Sequence, residues 1–146
     1  WRLALGLLAQ MPLAALQTNA ITRNAAISAC EKAKRWQGAL DLLREALRRG
    51  SQLGTVAWNG AISACEKGEQ WSRALGLLSE LQQAGSEPDG VTCSGVASSC
   101  GKCGQWRRTL RVLALAGDWG QRLDEFMYSA AISACEKASQ WQVALR

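Results

Sequence analysis

The stretch AISACEKGEQW at residues 61–71 recurs almost word for word as AISACEKAKRW at 26–36 and AISACEKASQW at 131–141. VASSCGKCGQW at 96–106 is a worn fourth copy. The phrases are spaced by one interval. Trp1, Trp36, Trp71, Trp106 and Trp141 stand 35 residues apart, and so do Cys30, Cys65, Cys100 and Cys135, and Lys32, Lys67, Lys102 and Lys137. Three residue types share one period without slippage, which is the signature of a tandem repeat array.

After each Trp the apolar residues take helical spacing. Trp36, Ala39, Leu40, Leu43 and Leu47 fall on one stripe, as do Trp71, Ala74, Leu75 and Leu78, with Gln37, Asp41, Arg44 and Arg48 on the other side. This helix is expected to stop at Gly50, Gly85 or Gly120, where glycine takes the left-handed C-terminal conformation freely. Pro88, three residues past Gly85, adds a further stop. Before each Trp the spacing predicts a shorter helix, over residues 24–34 and 59–68. Its stripe is small: Ala26, Ile27 and Cys30, then Ala61, Ile62 and Cys65.

A two-helix unit of this size cannot bury its own apolar face, so neighbours must stack into a continuous core. The fold class expected is therefore all-α, a right-handed α-solenoid of 35-residue helix-turn-helix repeats. The units are the second helix of a truncated repeat (1–19), repeats at 20–54 and 55–89, a degenerate repeat at 90–124 and a partial repeat at 125–146. The degenerate copy has Gly101 where the others have Glu, and LALAGDWG at 113–120 where its neighbour has LLSELQQAG at 77–85. A frayed or bent helix is expected there, since an interior glycine costs about 1 kcal/mol relative to alanine. The first residue falls inside a repeat and there is no initiator Met, so the expectation is a window from a longer repeat protein. The longest apolar run, LALGLLAQMPLAAL at 3–16, is interrupted by Pro12 and falls short of the ~18 residues that read as a membrane span.

A period of 35 with SEPDGVT between repeats (residues 86–92) resembles the pentatricopeptide repeat, over essentially the whole chain. The AISACEK…QW wording is similar in particular to the large families of dinoflagellate algae. GSQLGTV at 50–56 departs from the pattern by lacking Pro-Asp. The resemblance implies single-stranded RNA as partner, read at one base per repeat. It assigns base readout to Asn24, Asn59, Ser94 and Ser129 early in the first helix, and to Asn19, Gly54, Asp89 and Asp124 at the repeat end. Asn59 with Asp89 then implies uridine and Ser94 with Asp124 guanosine, while Gly54 leaves Asn24 without a reading partner. Ile21, Val56, Val91 and Phe126 match the positions that sandwich bases, and Lys32, Lys67, Lys102 and Lys137 form a stripe suited to phosphates. The compartment implied is an organelle, the chloroplast before the mitochondrion.

Each feature also has a structural reading. Asn and Ser are common helix N-caps. The lysines could be neutralised locally by Glu31, Glu66 and Glu136, and the excess of 17 basic over 12 acidic residues is mild. The periodic tryptophans fit core packing, whereas Trp58 and Trp119 lie off the period and are expected nearer the surface. Four cysteines hold one small core position per repeat. Cys100-x-x-Cys103, with Cys93 upstream and no histidine in the chain, does not complete a zinc set. Free core thiols favour a reducing compartment. No catalytic residues, metal or cofactor are expected, since no His and no phosphate loop after a strand is present. The pairs are patchy, which keeps a second partner in view: protein subunits of a large organellar assembly, with the solenoid as scaffold.

Overall fold

The computed structural model describes residues 2, 3, 6 and 20–140. Apart from residues 2, 3 and 6, the expected helix over 1–19, Asn19 included, lies outside the described residues, as do Trp1 and Trp141. Among residues 20–140 seven α-helices of 13 residues follow one another: α1 (Ala20–Lys32), α2 (Trp36–Arg48), α3 (Thr55–Lys67), α4 (Trp71–Gln83), α5 (Gly90–Lys102), α6 (Trp106–Asp118) and α7 (Glu125–Lys137).

The helices form two layers. Each first helix (α1, α3, α5) packs on the first helix of the next repeat and on its own second helix, and α2, α4 and α6 each reach forward onto the next first helix. The backbones of α2, α4 and α6 stay apart from one another. Because only the first-helix layer is in direct contact along the array, the solenoid curves with that layer inside.

Small residues set this spacing. Ile27 and Ile62 are buried, and a Cβ at Gly60 or Gly95 of the next repeat would come within 2.9 or 3.0 Å of their Cγ2 atoms. At the third interface Ala97 and Ala130 take the two positions, and the backbones come closer still. A Cβ at Gly101 would lie 2.6 Å from the Ala130 carbonyl oxygen. The loss of Glu at 101 is therefore a packing requirement. The expected fraying of the fourth copy does not occur either: α6 runs unbroken, because Gly117 sits in its last turn.

The core contains Ala26, Ile27, Cys30, Ala39, Leu40 and Leu43, and one repeat on Ala61, Ile62, Cys65, Ala74 and Leu78, with Leu75 half-buried against them. Trp58 departs from expectation: it is fully buried among the largest core side chains. Its position carries Arg23, Cys93 and Tyr128 in the other copies, so no period announced it. Trp36 and Trp71 are half-buried against the core, and the Arg108 guanidinium of the next repeat lies 4.3 Å from the Trp71 ring centroid.

Both kinds of helix end in the same hydrogen-bonded turn. At α2, Ser51 N–H donates to Ala46 C=O and Gly50 N–H to Leu47 C=O, with Gly50 at φ 68°. At α3, Gln70 N–H donates to Cys65 C=O and Glu69 N–H to Glu66 C=O, with Glu69 at φ 55°. Lys34 and Ser139 share that left-handed conformation, and only the third repeat has glycine there, at Gly104. A side chain with a Cβ is strained in this region.

Two substitutions test these statements by urea unfolding. Glu69→Gly is expected to raise stability by about 0.5–1 kcal/mol, since it relieves a left-handed residue against a smaller entropic loss. Gly101→Glu, which restores the repeat's own wording, is expected to lower it by about 2 kcal/mol through overpacking.

Candidate nucleic-acid interface

The inner face carries one row of exposed apolar side chains. Ile21, Val56, Val91 and Phe126 occupy the second position of α1, α3, α5 and α7 and are 72%, 65%, 66% and 55% exposed. Large apolar side chains exposed at the same place in four helices form one row on the surface. Asn24, Asn59, Ser94 and Ser129 follow three residues later, on the same helix face.

These four residues do not cap their helices. Each first helix starts four residues before its Asn or Ser, so the capping reading is corrected. The N-caps are Gly54, Asp89 and Asp124. Asp89 accepts from Thr92 N–H at 2.8 Å, and Thr92 Oγ1 accepts from Asp89 N–H at 3.2 Å, a reciprocal capping box. Asp124 accepts from Met127 N–H at 2.8 Å. Gly54 has no side chain with which to cap.

The cap carboxylates meet the polar residues of the preceding repeat. Asn59 Nδ2 donates to both oxygens of Asp89 at 3.2 Å. The Thr92 hydroxyl lies 2.6 Å from Asn59 Oδ1 and 2.8 Å from Asp89 Oδ1. Ser94 Oγ reaches Asp124 Oδ2 at 3.4 Å. Asn24 stands opposite Gly54 and Ala57, neither of which offers a polar side chain. Burial pushes the Asp89 carboxyl up, but hydrogen bonds from Thr92, led by its backbone N–H, and from the Asn59 amide outweigh it and hold the group below its ordinary value. Its contribution to stability is therefore present above the unfolded value of about 3.9 and is lost as pH falls through the folded value. Thr92 carried no periodic signal, because Thr22, Ala57 and Met127 fill its position elsewhere.

The lysines are partnered across repeats. Lys67 Nζ donates to Glu31 Oε1 at 2.7 Å, and the Ser63 hydroxyl donates to the same oxygen at 2.8 Å. Lys102 and Ser98 meet Glu66 Oε1 at 2.8 and 2.7 Å. The expected neutralisation by glutamate thus occurs, but with the preceding repeat's Glu rather than the adjacent one. Gly101 offers no carboxylate to the next lysine, so Lys137 Nζ donates to the Lys102 carbonyl at 2.7 Å. Lys32 is exposed on the last turn of α1. The serine in AISACEK recurs with the 35-residue period and was the readable sign of this link.

Burial raises the thiols of Cys65, Cys93 and Cys100 to about 11, so they stay protonated. Cys103 is half-buried, its Sγ 3.5 Å from the Glu69 carbonyl. Among the described residues no three His, Cys, Asp or Glu side chains converge, and no helix is long and apolar enough to cross a membrane.

Residues 21–51 and 56–86 each match the family model described as PPR repeat. Among solved structures, the pentatricopeptide repeat protein PPR10 in complex with an 18-nt psaJ RNA element matches with a TM-score of 0.81 at 26% identity. A triple cysteine-to-serine variant of PPR10 with the same RNA matches equally. PPR10 from maize matches with a TM-score of 0.72 at 24% identity. These alignments cover 97–98% of this chain but only 20–21% of those chains, so the chain spans about one fifth of their length. No curated protein sequence matches it significantly. Residues 21–51 and 56–86 are thus recognised in sequence as pentatricopeptide repeats, and the described array shares the stacked fold of PPR10.

Proposed function

We propose that this chain is a single-stranded RNA-binding module that reads one base per repeat, without catalysis of its own, in organellar RNA metabolism. The observation that carries the reading is the Asn59–Asp89 pair, hydrogen-bonded at 3.2 Å on a face where Val56 and Val91 stand exposed in the same two repeats. An amide and a carboxylate side by side can meet the donor and acceptor edge of a base, and exposed aliphatic groups on either side can hold it by stacking. PPR10, the relative with the same fold, is seen in complex with RNA.

In this reading the repeats are 20–54, 55–89 and 90–124, with a partial unit at 125–146. Asn59 and Asp89 take uridine, Ser94 and Asp124 take guanosine, and Asn24 reads poorly opposite Gly54. Ser129 is the reading residue of the partial unit. Ile21, Val56, Val91 and Phe126 sandwich the bases. The compartment is an organelle, the chloroplast before the mitochondrion. A scaffold role, with protein subunits as partner, is favoured by one observation: Glu31 and Glu66 already neutralise two of the four lysines.

The lysines make the electrostatic test specific. Each phosphate neutralised on a single strand contributes about −0.7 to the slope of log affinity against log salt. Lys32→Gln with Lys137→Gln is expected to flatten the slope by about 1.4, because two phosphates are then left without a lysine. Lys67→Gln with Lys102→Gln is expected to leave it nearly unchanged, because those charges are held by glutamates. A slope unmoved by all four changes would remove the stripe from RNA binding.

Base readout has its own test. Asn59→Ser leaves the Asp89 cap in place and is expected to move the preferred base at one nucleotide from uridine toward guanosine by about 1 kcal/mol. Competition among short RNAs differing only there measures it. Identical base rankings for wild type and variant would sink the readout, and no binding by either would leave the scaffold reading.

A further inference from the structure

The three complete repeat interfaces carry the same backbone arrangement with three different polar fillings. At the first, Asn24 faces Gly54 and Ala57, so the adjoining side chains offer no hydrogen bond. At the third, Ser94 reaches Asp124 only at 3.4 Å, and the residue three beyond that aspartate is Met127, whose backbone N–H alone serves the cap. At the second, Thr92 holds that place, and its hydroxyl closes a compact cluster with Asn59 and Asp89.

The hydrogen inventory of this cluster fixes the Asn59 amide. Ionised Asp89 can only accept, so the group facing it at 3.2 Å must be the Nδ2 donor. The Oδ1 end then points at Thr92 Oγ1, 2.6 Å away, and needs a proton from it. Thr92 has one hydroxyl proton to give. Asp89 Oδ1 already accepts from Thr92 N–H at 2.8 Å and from Asn59, so the proton is best placed on Asn59 Oδ1. The hydroxyl oxygen in turn accepts from Asp89 N–H, which orients it. Turning the amide over would set a carbonyl oxygen against a carboxylate. The arrangement therefore has one low-energy orientation, with Oδ1 partly occupied and one Nδ2 proton unused.

We propose that Thr92 is a positioning residue of the reader at this interface, locking the Asn59 amide before a ligand arrives. The locked amide offers a free N–H donor beside the acceptor oxygens of Asp89. It thus favours a base with a carbonyl oxygen next to a ring N–H, an edge that uridine and guanosine share, over cytidine or adenosine, which present an amino group to the same proton. Preorganisation removes the freedom an unheld amide must surrender on binding. The second interface is accordingly the most discriminating of the three and the first the least, although Asn24 and Asn59 are the same residue type.

This inference rests on the RNA-binding reading, and its test separates the two. In the free full-length chain, the Asn59 side-chain proton that faces Asp89 is expected to exchange slowly with solvent by NMR. Thr92→Val should accelerate that exchange severalfold and Thr92→Ser should restore it. Exchange that is the same in Thr92→Val as in wild type overturns the lock without any reference to RNA. In competition among short RNAs varied at the facing nucleotide, Thr92→Val is expected to reduce the preference for uridine over cytidine by about fivefold, the weight of one hydrogen bond. Thr92→Ser should recover it. Equal weakening toward all four bases, with their ratios intact, reduces Thr92 to a capping residue and overturns its role in readout. If wild type binds no RNA while the exchange result holds, the RNA reading fails, and base selection by Thr92 fails with it.

Discussion

The close approach of successive first helices is the constraint from which the rest of the molecule follows. Ile27 against Gly60 and Ile62 against Gly95 bring these helices together as a branched side chain over a bare backbone. Where Gly60 and Gly95 give way to Ala130, Ile27 and Ile62 give way to Ala97, so the pair carries less side-chain volume and the backbones can draw closer. Gly101 then allows a still nearer approach to Ala130. Because the second helices lack this close packing, the array bends toward the first-helix layer. The second residues of those helices, Ile21, Val56, Val91 and Phe126, are consequently presented in one row.

The same stacking gives the cap aspartates two tasks. Asp89 satisfies exposed N–H groups at the start of α5, which is worth about 1 kcal/mol for a typical cap. It also lies against Asn59 of the preceding repeat. A single carboxylate thereby ties the start of one helix to the polar group of another, and the repeat junction and the candidate recognition site become one structure. Gly54 shows the alternative: the helix still starts, uncapped by a side chain, and the polar pair is missing. Folding tolerates that loss because the apolar junction at Ile27 and Gly60 remains.

What could be read from the amino-acid sequence was whatever recurred at 35 residues. The row of Ile21, Val56, Val91 and Phe126 came from the family resemblance, whereas the hairpin, the buried cysteine position and the glycine that stops each second helix all repeat and were legible. Features held by one repeat alone were not. Trp58 fills a core position that its counterparts leave to Arg23, Cys93 and Tyr128, so its burial follows from packing alone. Thr92 acts through hydrogen bonds to Asn59 and Asp89 that depend on how two repeats are stacked. Asn24 and Asn59 look like caps and so suggest too late a start for the first helix, whereas the extended backbone before it belongs to Gly54 and Asp89. Lysine pairing misleads for a related reason. Glu66 is adjacent to Lys67 in the chain, but neighbours on a helix point apart, and Glu31 one repeat earlier is the one in reach.

That pairing bears on how charge is distributed along the inner face. Glu31 is pushed up by burial but brought below its ordinary value by Lys67 and Ser63, so it is an anion held in place between two repeats. The lysine opposite it serves the junction first. At the last junction Gly101 leaves no carboxylate where closer packing is needed, and Lys137 donates to the Lys102 backbone carbonyl instead. A substitution that looks like decay in the repeat therefore does two things at once: it tightens one junction and releases one positive charge. A periodic lysine is not a uniform stripe of charge, because neutralisation is decided interface by interface by the residue one repeat earlier.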